Sequence, residues 1–169
     1  WTLTFQTVTS EGNVHLNSST AKISVATRLA GTYEVIASSY FRIGVDNGGW
    51  NGDIRIIESV NPTTYFHNGY GPFTEAQGPA FFYFSVDDAN TVSYFQEYNG
   101  EVITGLGTNL ITCQTNPNDM VNVNCDPATT NYVELNDDTG KDIIYMTYGY
   151  YTDGSGPREF YEVLQKVVN

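Results

Sequence analysis

The sequence predicts an all-β chain of antiparallel strands that ends in one C-terminal α-helix, and three observations carry that expectation. Thirteen Tyr and nine Phe stand with many Val, Ile and Thr in short runs broken by Gly, Asn, Asp and Pro, the pattern of strands and turns. Between the runs lie Asp46-Asn47-Gly48-Gly49, Tyr98-Asn99-Gly100 and Asp138-Thr139-Gly140, each supplying residues that tolerate positive φ. After Ser155-Gly156-Pro157 the apolar positions fall at Phe160, Val163, Leu164 and Val167, a stripe at helical spacing.

Taken in order, the first 27 residues form a leader. An extra strand over Trp1 to Val8 and a helical turn over Ser19 to Arg28 are the two readings this segment offers, and the sequence leaves it open. Strands are expected at Thr32–Ser39, Asp53–Val60, Phe81–Val86, Thr91–Tyr98, Val102–Gly105, Leu110–Cys113, Asn131–Leu135 and Asp142–Tyr150. Short turns make successive strands antiparallel neighbours, so the spacing suggests a meander. A helix over residues 157–168 is expected to pack on the outside of the sheet. Pro157 suits its first turn, and Glu159 and Lys166 match the helix dipole at its two ends.

The 169 residues fit one domain. A net charge of -12 repels phosphate backbones, so nucleic acid is not an expected partner. No apolar stretch approaches the roughly 18 residues that a membrane span needs, and the longest, Ala80 to Phe84, is strand-sized. Trp1 reads as the first residue of a chain whose export signal has been removed, which points to a secreted, extracellular protein. Cys113 and Cys125 flank a polar run and are placed to bridge a long loop. That closure is worth roughly 3 kcal/mol in the chain-entropy description. Asn17-Ser18-Ser19 is an N-glycosylation sequon and makes Asn17 a candidate glycosylation site.

Leu29-Ala30-Gly31-Thr32-Tyr33 through Ser39 resembles the first barrel strand of lipocalins. Phe41-Arg42-Ile43 to Asp46-Asn47-Gly48, followed by Ile54 to Glu58, is similar to the lid loop and second strand of odorant-binding and major urinary proteins. Phe82 to Val86 and Asp138 to Gly149 are similar to their third strand and last hairpin. The resemblance implies an eight-stranded up-and-down barrel, a calyx over residues 29–150, holding a small, mostly apolar ligand such as an odorant, pheromone, lipid or pigment. The sequence departs from the family at Tyr33, where Trp is usual, and the arginine that stacks on that ring has no counterpart unless Arg158 serves. The cysteines also sit away from the common lipocalin bridge.

Alternation along barrel strands sorts interior from exterior. If Arg55 faces out, as a charge should, then Ile54, Ile56 and Glu58 face in. The same alignment turns Phe82, Phe84 and Val86 inward, with Tyr94, Ile144, Met146, Tyr148 and Tyr150 on later strands. Such walls suit an apolar guest; alternatively, these side chains fill the barrel themselves. Tyr132 and Glu134 also fall inward, and buried Glu58 and Glu134 need a partner, which a protonated ligand amine would supply.

An enzyme is not expected, and neither is a cofactor or a metal. A jelly-roll glycoside hydrolase or carbohydrate-binding protein would recruit a pair from Glu58, Glu97 and Glu134. His15 and His67 lie far apart in polar, turn-like segments and support neither a Ser-His-Asp relay nor a histidine metal site. Asp87-Asp88 and Asp137-Asp138 read as hairpin tips rather than calcium ligands. Tyr65, Phe66, Tyr70 and Phe73 stand among Gly and Pro and read as a mobile aromatic lid, a sugar-binding face, or loop aromatics packed on their own domain.

Overall fold

A computed structural model of the chain describes residues 2–22, 27–74, 81–98, 101–102 and 110–168. Strands β1 (Thr2–Val8) and β2 (Val14–Lys22) pair with each other in a sheet of their own. Next come β3 (Gly31–Arg42), β4 (Val45–Asp46), β5 (Ile54–Ser59) and β6 (Thr64–His67). A short ribbon of β7 (Gly69–Tyr70) and β8 (Phe73–Thr74) precedes β9 (Phe82–Val86) and β10 (Val92–Tyr94). A second short ribbon, β11 (Glu97–Tyr98) with β12 (Glu101–Val102), is followed by β13 (Leu110–Ile111), β14 (Tyr132–Glu134), β15 (Ile143–Thr152) and β16 (Gly156–Lys166).

The main sheet runs β10-β9-β6-β5-β3-β16-β15, and both β13 and β14 lie on the free edge of β15, β14 against Ile143 to Tyr145 and β13 against Gly149 and Tyr150. A bridge between Thr91 and Tyr132 joins the two ends of that sheet. Around it the Val92 amide donates to the Asn131 carbonyl and the Val133 amide to the Asn90 carbonyl, both at 2.8 Å. The strands β3, β5, β6, β9, β10, β14, β15 and β16 therefore form an eight-membered antiparallel meander whose last strand pairs with its first. Eight strands enclose a space that side chains can fill.

The turns are built by short polar side chains that satisfy nearby amides, as the sequence leads one to expect. Asn61 accepts from the Thr63 and Thr64 amides between β5 and β6. Asp87 does the same for Ala89 and Thr91 between β9 and β10, which agrees with the reading of Asp87-Asp88 as a hairpin tip.

The expected helix over 157–168 is instead strand β16, and the described residues contain no helix. Phe160, Glu162 and Leu164 point into the barrel core, while a register shift against β3 falls between Val163 and Leu164. The extra residue of that bulge is Ile36 of β3, and β16 itself keeps its two-residue period against β15. Glu159 and Val163 are also buried, Glu159 beneath Asn122 of the disulfide loop. Burial on both faces of β16 places apolar residues at 160, 163 and 164, the spacing that imitates a helix. The barrel also takes β6, expected as loop; of the expected Val102–Gly105 strand, Val102 lies in β12 and residues 103–105 lie outside the described residues. In the leader, which the sequence left open, Thr2–Val8 is a strand; residues 19–22 belong to β2 rather than a helical turn, and 23–26 lie outside the described residues.

The Cys113–Cys125 disulfide is formed across a separation of 12 residues. Its loop covers the outside of β15 and β16. The Asn122 backbone and side-chain amides donate to the Glu159 carboxylate at 2.7 and 2.6 Å, and the Thr147 hydroxyl donates to the Asn124 carbonyl at 2.8 Å. At the end of the barrel where β3 begins, Arg28 grips Asp142 through two hydrogen bonds of 2.8 and 2.7 Å. Tyr33 is fully buried and donates its hydroxyl to the Leu29 carbonyl. Arg158 stands over Tyr150, 5.9 Å from the ring centre, and not over Tyr33 as the family resemblance suggested.

Candidate functional site

Side-chain parity divides the expected wall residues in two. Phe82, Phe84, Val86, Ile144, Met146 and Tyr148 are buried in the barrel core, with Tyr94 and Tyr150 packed against it, as expected. On β5 the expectation is inverted: Arg55 is 1% exposed, whereas Ile54 is 52% and Ile56 36% exposed, and Glu58 is exposed as well. Arg55 pairs across the sheet with Tyr33 and shares its inward face. A charge can face in here because the interior supplies acceptors for it, so the rule that charges face out set the register wrong by one residue.

Tyr132 and Glu134 also face outward, with Val133 between them buried. Tyr132 stacks on Tyr145 at 4.5 Å, and the Tyr145 hydroxyl donates to Glu134. The two carboxylates expected to hold an amine are thus both on the exterior. The paired-carboxylate reading loses the same two residues, and its jelly-roll fold is replaced by a single closed meander. Glu97 lies on the short β11 ribbon. Asn17 lies in β2, in the separate two-stranded sheet.

The inward carboxylate is Glu162. One oxygen accepts the Tyr148 hydroxyl at 2.7 Å and lies 3.1 Å from His67 Nε2; the other accepts the Trp50 indole N–H at 3.1 Å. His67 Nδ1 lies 3.0 Å from the Gly69 amide nitrogen and 2.9 Å from the Gly69 carbonyl oxygen, and Nε2 faces Glu162. The contact is oblique, so it acts as an electrostatic one more than as an aligned hydrogen bond. Burial pushes the Glu162 pKa up, but His67 first, then Arg55 and the Tyr148 hydroxyl, bring it net below the ordinary glutamate value. The group is therefore ionised in the core. Burial pushes Tyr70, Tyr94 and Tyr148 well above the usual phenol range, so they remain neutral.

Above this network sits the β7–β8 hairpin, which turns back into the barrel. Tyr70 is 1% exposed and meets Phe82, Tyr148, Tyr150 and Phe160 edge-on at 5.3 to 5.7 Å. Its hydroxyl donates to the Gly149 carbonyl at 2.7 Å. The Gly71 amide donates to the Tyr148 hydroxyl at 2.9 Å, and the Gly71 carbonyl accepts from Arg55 at 2.7 Å. Gly71 has φ +57°, and a Cβ there would lie 2.2 Å from the Phe160 ring, so the insertion needs glycine. Trp50, from the segment before β5, packs edge-on against Phe160 at 6.1 Å.

The described interior is thus packed ring against ring with the chain's own residues. Two surface grooves, one beside the disulfide at Gln114 and Pro127 and one beside Asp87 and Asp88, do not reach Arg55, His67, Tyr148 or Glu162. Among the described residues no cluster of His, Cys, Asp and Glu is arranged to hold a metal.

Sequence reasoning missed Arg55, His67, Trp50 and Glu162 as interior residues, and it did not fix Tyr70 there. His67 was read as part of a polar turn, yet it ends β6 and stacks on Phe82 at 4.5 Å. One signal was present: Tyr65 and His67 alternate with Phe66 as a strand would, and Tyr65 and His67 are the buried pair.

No protein-family profile matches the chain, and no curated protein matches it by sequence. Among solved structures it is similar to a lipoprotein of Bacteroides thetaiotaomicron, at 17% identity and a TM-score of 0.46, over 98% of this chain and 74% of that one.

Proposed function

We propose that the chain is a lipocalin-like binding protein of an oxidising, extracellular or envelope compartment, without catalytic activity, that holds a small, mostly apolar ligand inside its barrel. The observation that carries this reading is the make-up of the interior. An aromatic and methionine wall surrounds a hairpin that belongs to none of the eight strands and is tied to them by hydrogen bonds from Arg55, to Gly149 and Tyr148, and between Gly69 and His67. A segment held this way can leave without breaking the sheet, and its departure opens a lined space. The disulfide supports the compartment.

The test is fluorescence titration of a Trp1→Phe variant, in which Trp50 reports on the core. Apolar probes, amines and oligosaccharides are added in turn. Saturable one-to-one quenching by an apolar compound is expected; if no apolar compound quenches Trp50 at any concentration, the reading is wrong. Release of reducing sugar from an oligosaccharide would replace it with catalysis.

A further inference from the structure

The geometry points to a more specific guest for the same barrel, and this inference rests on the binding reading above. We propose that the space held by Tyr70 and Gly71 takes an aromatic acid whose carboxylate lies one amide beyond an aryl-bearing carbon. This is the chemistry of a peptide terminus that ends in an aromatic residue and glycine.

Arg55 carries the argument. A guanidinium presents Nε and Nη2 along one edge, a fork matched to the two oxygens of a carboxylate. In this barrel Nη1 donates to the Ile54 carbonyl at 3.1 Å, and Nη2 donates to the Gly71 carbonyl at 2.7 Å and to Asp53 at 3.3 Å. Nε is buried with no hydrogen-bond partner. A Cβ on Gly69 would lie 2.7 Å from that nitrogen, so the hairpin backbone faces it at close range. Nη2 is thus served at close range by the neutral Gly71 carbonyl and at longer range by the Asp53 carboxylate, while Nε beside it has no acceptor. Leaving a buried donor unpaired costs free energy that a carboxylate would recover.

The other contacts of the hairpin complete the description of the guest. Four rings frame the Tyr70 phenol, and the Gly149 carbonyl accepts its hydroxyl. The Tyr148 hydroxyl accepts one amide N–H. The Phe160 ring leaves no room for a side chain at the Gly71 position. Glu162 does not compete for the fork, because its oxygens are engaged by Trp50, Tyr148 and His67. The hairpin is a tethered competitor, and a tether of this kind acts at an effective concentration of about millimolar. Its removal should therefore strengthen binding of the free acid.

The probe is N-acetyl-tyrosyl-glycine, compared by calorimetry with its C-terminal amide on the full chain. In the variant Tyr70→Ala with Gly71→Ala the hairpin no longer fits. This variant should bind the acid at least about tenfold more tightly than the wild type does, and about tenfold more tightly than it binds the amide. Adding Arg55→Lys should abolish the preference for the acid while sparing the amide. Equal affinity for acid and amide overturns the proposal. A neutral apolar dye run in parallel separates the two readings: dye bound and acid refused refutes the carboxylate guest alone, and refusal of both by a cooperatively melting variant refutes the binding barrel as well. If the double variant does not fold, the wild-type Gly69 and Gly71 amide resonances decide. They should move with about 10 mM acid and not with amide, and unmoved resonances overturn the proposal.

Discussion

A carboxylate at the centre of a barrel persists only where donors replace the water it gave up. Glu162 has Tyr148, Trp50 and His67 around it, with Arg55 adding favourable charge. Removing its charge leaves Arg55 and these donors under-paired, so Glu162→Gln should lower stability at pH 7 by about 3 kcal/mol, measured by urea unfolding. The pH dependence follows from the direction of the shift. The folded-state pKa lies below the ordinary value, so the contribution is complete above about pH 4.3, where the unfolded group ionises, and is lost as pH falls through the folded value. Wild type and Glu162→Gln should therefore converge in acid; a gap of constant size from pH 7 to pH 3 would contradict the assignment. Asp142 has the same sign, since burial raises its pKa but the Arg28 grip and the Asn136 amide bring it net lower.

The residue identities inside the barrel were only partly legible. Phe82, Phe84, Ile144, Met146 and Tyr148 follow from alternation because apolar residues recur at every second position. Arg55 and Glu162 did not, because pattern reading assigns charges to water and cannot see that Arg55 meets the Gly71 carbonyl of the inserted hairpin or that Glu162 meets Trp50, His67 and Tyr148.

At the scale of elements, the disulfide loop and the inserted hairpin do different work. The loop is a cover: Asn122 and Asn124 reach over to Glu159 and Thr147, and the bond fixes the loop that carries them. Replacing Cys113 and Cys125 by Ser should cost about 3 kcal/mol from lost constraint on the unfolded chain. It should also speed hydrogen exchange at the Asn122 amide relative to the barrel strands. Unchanged exchange there would show that the loop is held by packing alone. The bridge was readable from spacing and flanking composition; the surface it covers was not.

The hairpin was read as a set of alternatives, and the structure selects the one in which loop aromatics pack on their own domain. Gly-Tyr-Gly-Pro-Phe spells a turn, but a turn's destination depends on which space accepts it. β16 shows the converse. Its apolar spacing was clear, yet burial on both faces made a strand resemble a helix.

For the whole molecule, closure depends on β16, which pairs with β15 on one side and with β3, more than a hundred residues earlier in sequence, on the other. Such non-local pairing must be completed before the core gains its burial, so folding is expected on the millisecond-to-second scale typical of barrels. Truncation after Ser155 removes Phe160, Glu162 and Leu164 together with both ladders. The truncated chain should lose its cooperative thermal transition, followed by Trp50 fluorescence. A sharp transition retained near the wild-type temperature would mean that the barrel stands without its last strand. A peripheral helix in the same place would have left eight strands intact, so this experiment also discriminates the two readings of the C-terminus.

Taken by itself, the sequence determined the all-β class, the antiparallel order, several turns and the disulfide. These rest on local rules, in which a Gly, Asn or Asp permits a turn and a β-branched or aromatic run favours a strand whatever lies across from it. Only the tertiary structure decided that residues 156–166 close the barrel as a strand, that Arg55 and not its neighbours faces inward, and that Tyr70 and Gly71 occupy the core. Each of those outcomes depends on which groups meet across the interior, and a linear pattern holds no record of partners separated by scores of residues.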